Sequence, residues 1–434
     1  MARSKQNTVG RRVAIVGGLR TPFVKSGTVF RSLSALQIAK PLISELIART
    51  NLTAVGIDRI IYGQVVPNME APNIAREIVL GCGLPHSIDA YSVSRACATS
   101  TQAIVDGAMA IMTGDANVVL CGGAESLSRP PISFSDGMVD VLMAANAARS
   151  TAQKIKAFAK LRPSDFMPVP PALKEAFTGL SMGESAEVMA KLNGIARDDQ
   201  DRLALASHQN AAAAWEKGIF TNEVMSFQVP PKFDTSTARD GIVRSDTSLE
   251  KLAGLKPVFD RKHGTITAGN SSPLTDGASC VILMAEETAK AHGYTPLAYV
   301  KSWGFAGIDP NFQLLQAPVL AIPKALEHAG LVLDNIDLFD MHEAFAAQVL
   351  SNIVGLRNAE FCKAYAGLAS AVGDVPMEKL NIYGGSIAIG HPFAATGARQ
   401  ALTMAHELSR RGGGIAMCTQ CAAGGLGAAL IIER

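Results

Sequence analysis

Leu333-Asp334-Asn335-Ile336-Asp337 stands directly after a helical stretch and runs into an apolar one, and Ala54-Val55-Gly56-Ile57-Asp58 does the same in the first half of the chain. The echo recurs at the far end of each half. Gly277-Ala278 and Gly427-Ala428 both open a last apolar run that stops at a glutamate. Working outward from these pairs, periodicity gives a strand at 13–17, a helix at 34–49, a strand at 58–64, a helix at 74–80 and a strand ending near Cys97. A helix to 112, a strand at 116–121 and a much later strand at 278–284 complete the first half. The second half repeats the order: strand 297–302, helix 319–329, strand 337–341, helix 346–356, strand 380–383, a turn at His391, helix 397–410, and strands 415–419 and 428–432. Two copies of one mixed α/β unit is the economical reading. Strands alternating with helices of about 10 to 15 residues imply sheets covered on both faces, so we expect five layers with two central helices shared between the halves.

The stretch 126–267 interrupts the first half and is rich in Pro, Ser and helix formers. The expected organisation is therefore 1–125 plus 268–290 as one half, 126–267 as an inserted loop domain, and 291–434 as the second half. Within the insertion, 141–164 holds Arg149, Lys154, Lys156, Lys160 and Arg162 and no acidic residue, with Ile155, Phe158 and Ala159 at helical spacing. A basic amphipathic helix is expected there, either a solvated cover over a site or an element that docks on a membrane surface or a partner.

Composition narrows the function classes. The 434 residues are 48% hydrophobic, which excludes disorder, and 40 Lys and Arg against 38 Asp and Glu leave a net charge of only +2. Without a basic block, nucleic acid is not an expected partner. Cys82, Cys97, Cys121, Cys280, Cys362, Cys418 and Cys421 are an odd set without disulfide-rich spacing, which suits a reducing compartment. No apolar run approaches the roughly 18 residues of a spanning helix. Residues 1–12 are polar and basic and read as a short arm, so a cytoplasmic enzyme of bacterial type is expected.

Three turns carry chemistry. Arg95-Ala96-Cys97-Ala98-Thr99-Ser100 places a thiol at the start of a helix, where the dipole and free amides favour a thiolate; a buried inert cysteine is the alternative. Gly384-Gly385-Ser386-Ile387-Ala388-Ile389-Gly390-His391-Pro392 puts an imidazole at the equivalent point of the second half, where a lone surface histidine is the alternative. Cys418-Thr419-Gln420-Cys421-Ala422-Ala423-Gly424-Gly425 adds a thiol on a small-residue turn after a strand. Its C-x-x-C spacing lacks the second pair that zinc would need, so no metal is expected. Asp340-Met341-His342-Glu343-Ala344-Phe345 brings an imidazole to another strand end.

With these turns, Arg20-Thr21-Pro22-Phe23, Met182-Gly183-Glu184-Ser185-Ala186-Glu187, Gly269-Asn270-Ser271-Ser272 and Gly390-His391-Pro392, the chain resembles the thiolase family over nearly its whole length. It looks closest to the 3-ketoacyl-CoA thiolase β-subunits of fatty-acid oxidation trifunctional complexes. His342 stands where most thiolases carry Asn, and Cys421-Ala422-Ala423 replaces a more glycine-rich turn. The resemblance implies an α/β, duplicated thiolase-type five-layer αβαβα fold and cleavage of 3-ketoacyl-CoA by coenzyme A in β-oxidation. Cys97 would be the nucleophile, His391 its activator and Cys421 the general acid/base. His342 and His391 would serve the thioester oxygen, and the amides of Cys97 and Ala423 the other oxyanion. Ser272 matches a serine that contacts the pantetheine arm, with Met182 on the same substrate-binding side. The resemblance also implies a homodimer, an α-subunit with hydratase and dehydrogenase activities, and coenzyme A as co-substrate without a permanently bound cofactor. A biosynthetic acetoacetyl-CoA thiolase, a decarboxylating ketoacyl synthase and a noncatalytic carrier are the rival readings. A synthase generates its carbanion by losing carbon dioxide and would leave Cys421 idle.

Overall fold

The computed structural model describes residues 10–434 except 170, 172 and 173, so positions 1–9 of the expected N-terminal arm lie outside the described residues. The first half runs β1 (Val13–Arg20), α1 (Ala35–Thr50), β2 (Arg59–Gly63), α2 (Ile74–Gly81), β3 (Asp89–Tyr91), α3 (Thr99–Met112) and β4 (Val118–Glu125). Four longer helices follow before the half resumes: α4 (Asp136–Ala147), α5 (Thr151–Phe158), α6 (Met182–Leu192) and α7 (Arg197–Glu216). The chain then continues through β5 (Thr275–Ala285), β6 (Ala298–Gly307), α8 (Pro318–Ala329), β7 (Leu338–Met341), α9 (Ala346–Arg357), α10 (Thr396–Arg411), β8 (Ile415–Ala422) and β9 (Leu426–Glu433).

The duplication is visible in the strand order β7-β8-β9-β6-β1-β5-β4-β2-β3. Reading outward from the β6/β1 seam, each side runs antiparallel, antiparallel and then parallel. The seam itself is antiparallel, with Val13 opposite Val300 and Ile15 opposite Ala298. Adjacent strand residues point to opposite faces, and here both faces are covered. Ile60 and Leu120 pack under Ile38, Leu42 and Ile78 of α1 and α2, whereas Ile61 and Val119 pack against Ile104 and Ile111 of α3. In the second half Leu430 and Ile432 face the same central layer as Leu402 and Leu408 of α10, while Ile431 packs with Ile322 of α8 and Val349 of α9. The result is five layers with α3 and α10 in the middle. Those two helices approach closely because residue 397 is Gly: a Cβ there would overlap the Thr101 hydroxyl and reach its amide nitrogen at 2.7 Å.

Three local expectations fail. Positions 380–383 form no strand; Leu380 makes one parallel bridge to Phe339, and Asn381 then turns at φ +45°. The Asn381 side chain instead accepts from the Met341 amide at 2.8 Å and donates to the Met341 carbonyl, diverting the chain from the sheet edge. The strand expected to end near Cys97 stops at Tyr91. The single helix expected at 141–164 is two. Ala148 and Ser150 are extended, and the Ser150 side chain caps α5, so the chain breaks between α4 and α5. Ser and Ala-flanked breaks of this kind are local capping choices that hydrophobic periodicity does not register.

The segment between β4 and β5 is pinned to the first half by one buried cation. Arg20 is fully buried and donates to Glu223 at 2.9 Å and to both oxygens of Asp240 at 2.7 and 3.0 Å. Removing one member of such a group strands the others' charge, a loss of about 3–5 kcal/mol.

Candidate active site

Cys97 lies one residue before the cap of α3, and its turn is strained: Ala96 takes φ +43°, a conformation costly for any residue with a Cβ. The Thr99 hydroxyl holds the turn, donating to the Ala96 carbonyl at 2.7 Å and accepting from the Arg95 amide at 2.8 Å. No side chain caps α3, and its first amide, that of Thr99, donates to the Ala96 carbonyl at 3.0 Å. Both the Cys97 amide and the Ala423 amide donate towards the Cys97 sulfur. Two N–H groups from different halves therefore converge on the atom that would carry an acyl group.

His391 brings an imidazole to this sulfur. Its Nε2 is 3.2 Å from Cys97 Sγ and its Nδ1 is 2.6 Å from Thr396 Oγ1. The backbone at His391 is set by Gly390, at φ +109°, and by the Thr275 hydroxyl, which accepts from the His391 amide at 3.1 Å. His342 follows β7 and tilts against His391 with ring centres 4.0 Å apart. Its Nδ1 meets Ser386 Oγ at 2.8 Å, while its Nε2 is buried with no protein partner. One donor atom from each of Cys97, His342 and His391 lies within 4.8 Å of the others.

Burial sets the resting protonation. It pushes the Cys97 thiol up to about 12, outweighing the two amides that act the other way. It also pushes His391 down to about 3, helped by the Arg399 charge, and holds His342 well below the ordinary imidazole range. Burial thus opposes the thiolate that the helix start favours, and the thiol faces an imidazole within hydrogen-bond reach.

Cys421 is not on a turn, as its surroundings suggested, but within β8, paired with Gly427 of β9. The turn falls at Ala423-Gly424-Gly425, where Gly424 and Gly425 take φ +82° and +69°. This shift of register sends the Ala423 amide to Cys97 and leaves the Cys421 thiol buried among Ala344, Phe345 and Met189, with Met182 packed at the edge. Burial, followed by the proximity of Cys97, holds the Cys421 thiol well above its usual value. Ser272 lies on a segment threaded between the two imidazole loops: Ala346 N donates to Asn270 O, Ser272 N to Ala344 O, and Leu274 bridges His391.

Several supporting residues escaped the sequence reading. Glu125 is fully buried at the end of β4, where it accepts from the amides of Val65, Val66 and Ala394, and burial raises it to about 8. It ties the loop after His391 to the first half. Arg399 and Asp340 form a buried pair beneath the imidazoles, and Glu343 accepts from Ser207, Asn381 and the Ile387 amide. The signal available was a charged residue inside an otherwise apolar element, which rarely occurs unpaired.

Residues 13–287 match the family described as thiolase, N-terminal domain, and residues 294–434 match thiolase, C-terminal domain. The chain is 52% identical over 424 residues to the 3-ketoacyl-CoA thiolase of Serratia proteamaculans (strain 568), covering 98% of this chain and 97% of that one. It is 50% identical over 434 residues to the 3-ketoacyl-CoA thiolase of Pseudoalteromonas translucida (strain TAC 125), covering 99% of each. Among solved structures, human mitochondrial 3-ketoacyl-CoA thiolase in complex with CoA superposes with a TM-score of 0.80 at 31% identity, covering 98% of each chain. The Bacillus anthracis acetyl-CoA acetyltransferase does so with a TM-score of 0.82 at 31% identity, covering 98% of this chain and all of that one.

Proposed function

This chain belongs to the thiolase family, and from that premise we propose that it cleaves 3-ketoacyl-CoA with coenzyme A, giving acetyl-CoA and an acyl-CoA two carbons shorter, through an acyl-Cys97 intermediate. The observation that carries the reading is the 3.2 Å contact of Cys97 Sγ with His391 Nε2 across the two halves, with the second thiol of Cys421 close by. Cys97 attacks the keto carbon as its proton passes to His391 Nε2. His391 keeps Nδ1–H on Thr396, the tautomer that leaves Nε2 free to accept. The amides of Cys97 and Ala423 receive the keto oxygen's charge.

When C2–C3 breaks, the thioester oxygen takes the enolate charge and faces His342 Nε2, the donor that has no other partner. Ser386 can donate to Nδ1 and so hold that proton on Nε2. Cys421 gives its proton to C2, releasing acetyl-CoA. The resulting Cys421 thiolate then takes the proton of the incoming coenzyme A thiol, which attacks acyl-Cys97; the departing sulfur recovers its proton from His391. Each protein group regains its starting protonation state: the Cys97 proton returns from His391, and the proton that Cys421 lost to C2 is replaced by that of coenzyme A.

Substrate contacts fall to Ser272 and Met182. We further propose that the chain divides at 1–125 plus 268–290, 126–267 and 291–434, and that it forms a homodimer. A mixture of 3-ketoacyl-CoA and coenzyme A should yield acetyl-CoA and the shortened acyl-CoA with parallel-line, two-step kinetics. Carbon dioxide release from a malonyl thioester, with no thiolysis, would establish the synthase reading instead.

The α4–α5 region supports an interfacial role. Met143 is 65% and Ile155 67% exposed, and Phe158 is exposed beside Lys154, Lys156 and Lys160. Arg162 is already paired with Asp165 at 3.4 Å, which leaves the lysines as the free cations of α5 and its end. No described helix is long and apolar enough to cross a membrane. Exposed apolar side chains flanked by basic ones fit an anionic lipid surface, so we propose peripheral membrane contact of a cytoplasmic enzyme. Near such a surface each basic residue is worth about 1 kcal/mol. Replacing Lys154, Lys156 and Lys160 by Glu should abolish co-sedimentation with phosphatidylserine vesicles while thiolysis of a short soluble substrate continues. Unchanged vesicle binding, or loss only of capture by a hydratase/dehydrogenase α-subunit, would overturn the lipid assignment.

A further inference from the structure

We propose that Cys97, His342 and His391 form a preorganised site for one soft divalent cation, zinc or cadmium, whose binding blocks the nucleophile reversibly. The inference is separate from the ketoacyl-CoA assignment, because it rests on the positions of donor atoms and is read without turnover.

The donor set is one thiol and two imidazoles, with their ligand atoms all within 4.8 Å and the sulfur 3.2 Å from His391 Nε2. A tetrahedral zinc ion has bonds of about 2.3 Å to sulfur and about 2.0–2.1 Å to nitrogen, which separates its ligands by roughly 3.3–3.5 Å. Small rotations of the side chains therefore suffice. No carboxylate belongs to the group, so the chemistry favours zinc or cadmium over magnesium or calcium.

A second observation points into the same space. His342 is only 1% exposed, and its Nε2 has no hydrogen-bond partner. A Cys–His pair alone is a poor chelator; His342 makes it a three-ligand site with one position left open, as in catalytic zinc sites. Both imidazoles already carry the outer contacts that orient metal-bound rings, His391 Nδ1 on Thr396 at 2.6 Å and His342 Nδ1 on Ser386 at 2.8 Å. Each hydroxyl can accept as well as donate, so the tautomer that frees both Nε2 atoms for a metal is as well satisfied as the one used for oxyanion binding. On binding, the Cys97 thiol forms the metal–sulfur bond and its proton goes to bulk water. The metal then occupies the direction from which Cys97 must attack, and an acylated Cys97 cannot bind it.

The test uses the whole chain after treatment with a chelator. Cadmium titration, followed by the ultraviolet sulfur-to-cadmium charge-transfer band and by equilibrium dialysis, should show one tight ion per chain. His342→Asn keeps all seven thiols and should weaken that ion by at least about 100-fold, more than loss of an outer-shell contact does. Cys97→Ala should remove the tight ion's charge-transfer band. In the unaltered protein, cadmium or zinc should slow iodoacetamide labelling of Cys97, and chelator should restore it, a readout that does not depend on any variant folding. The proposal is overturned if no stoichiometric ion binds, if His342→Asn binds as tightly as the parent, or if labelling of Cys97 proceeds at the same rate with the metal present.

Discussion

Cys97→Ala is expected to abolish acyl transfer from acyl-CoA, lowering turnover by at least about 10,000-fold, the scale seen when a covalent nucleophile is removed. The thiol is positioned by a strained turn, two converging amides and an imidazole 3.2 Å away, and no other sulfur among the described residues has that combination. Mass spectrometry after brief exposure to an acyl-CoA should place the acyl group on the Cys97 peptide of the unaltered protein, and labelling that persists elsewhere in Cys97→Ala would remove the assignment. The protonation state makes a companion expectation. With the thiol pushed up to about 12 and His391 down to about 3, both groups are expected to be neutral near pH 7 in the resting site. Below the thiol's value the thiolate fraction rises about tenfold per pH unit, so alkylation of Cys97 should climb log-linearly from roughly pH 6 to 9. A plateau in that range would mean that the resting site is a thiolate–imidazolium ion pair.

Cys421→Ser separates the two thiols. Acylation of Cys97 by a saturated acyl-CoA requires no carbanion, so it should survive the substitution. Cleavage of 3-ketoacyl-CoA requires protonation at C2 and deprotonation of the incoming thiol, and it should fall by about 100- to 10,000-fold, the range of a positioned general acid/base. Buried serine, with a hydroxyl far less acidic than a thiol, cannot take up and release that proton at neutral pH. Both half-reactions falling together would show a structural role for the thiol in its cluster with Ala344 and Phe345, whereas near-normal cleavage would remove Cys421 as the general acid/base.

Much of the architecture was legible because burial on both faces leaves a local imprint. Runs such as Ile60-Ile61 and Leu430-Ile431-Ile432 are continuously apolar because successive side chains enter different cores, and their repetition in one order disclosed the duplication. The site turns were legible for a related reason. Gly390 at φ +109° and the Gly424-Gly425 pair occupy conformations that other residues adopt only under strain, so they mark where the backbone bends around chemistry. What failed was governed by side-chain hydrogen bonds and caps. Asn381 replaces a strand by bonding both backbone groups of Met341, and Ser150 starts a new helix where periodicity suggested continuation.

By itself, then, the order of residues determined the two-copy α/β plan and nominated Cys97, His342, His391 and Cys421, because patterning, glycine placement and helix starts are short-range properties. Only the tertiary structure decided how those four stand to one another. It brought His391 from one half within 3.2 Å of Cys97 in the other, and it directed the Ala423 amide at the sulfur by placing Cys421 inside β8. It also set burial against the thiolate at Cys97. A helix start favours the thiolate, but that effect is local and modest, whereas the loss of water around the sulfur is contributed by residues from both halves and is the larger of the two. Desolvation is a sum over everything that surrounds an atom, and neighbours in space cannot be read from neighbours in the chain.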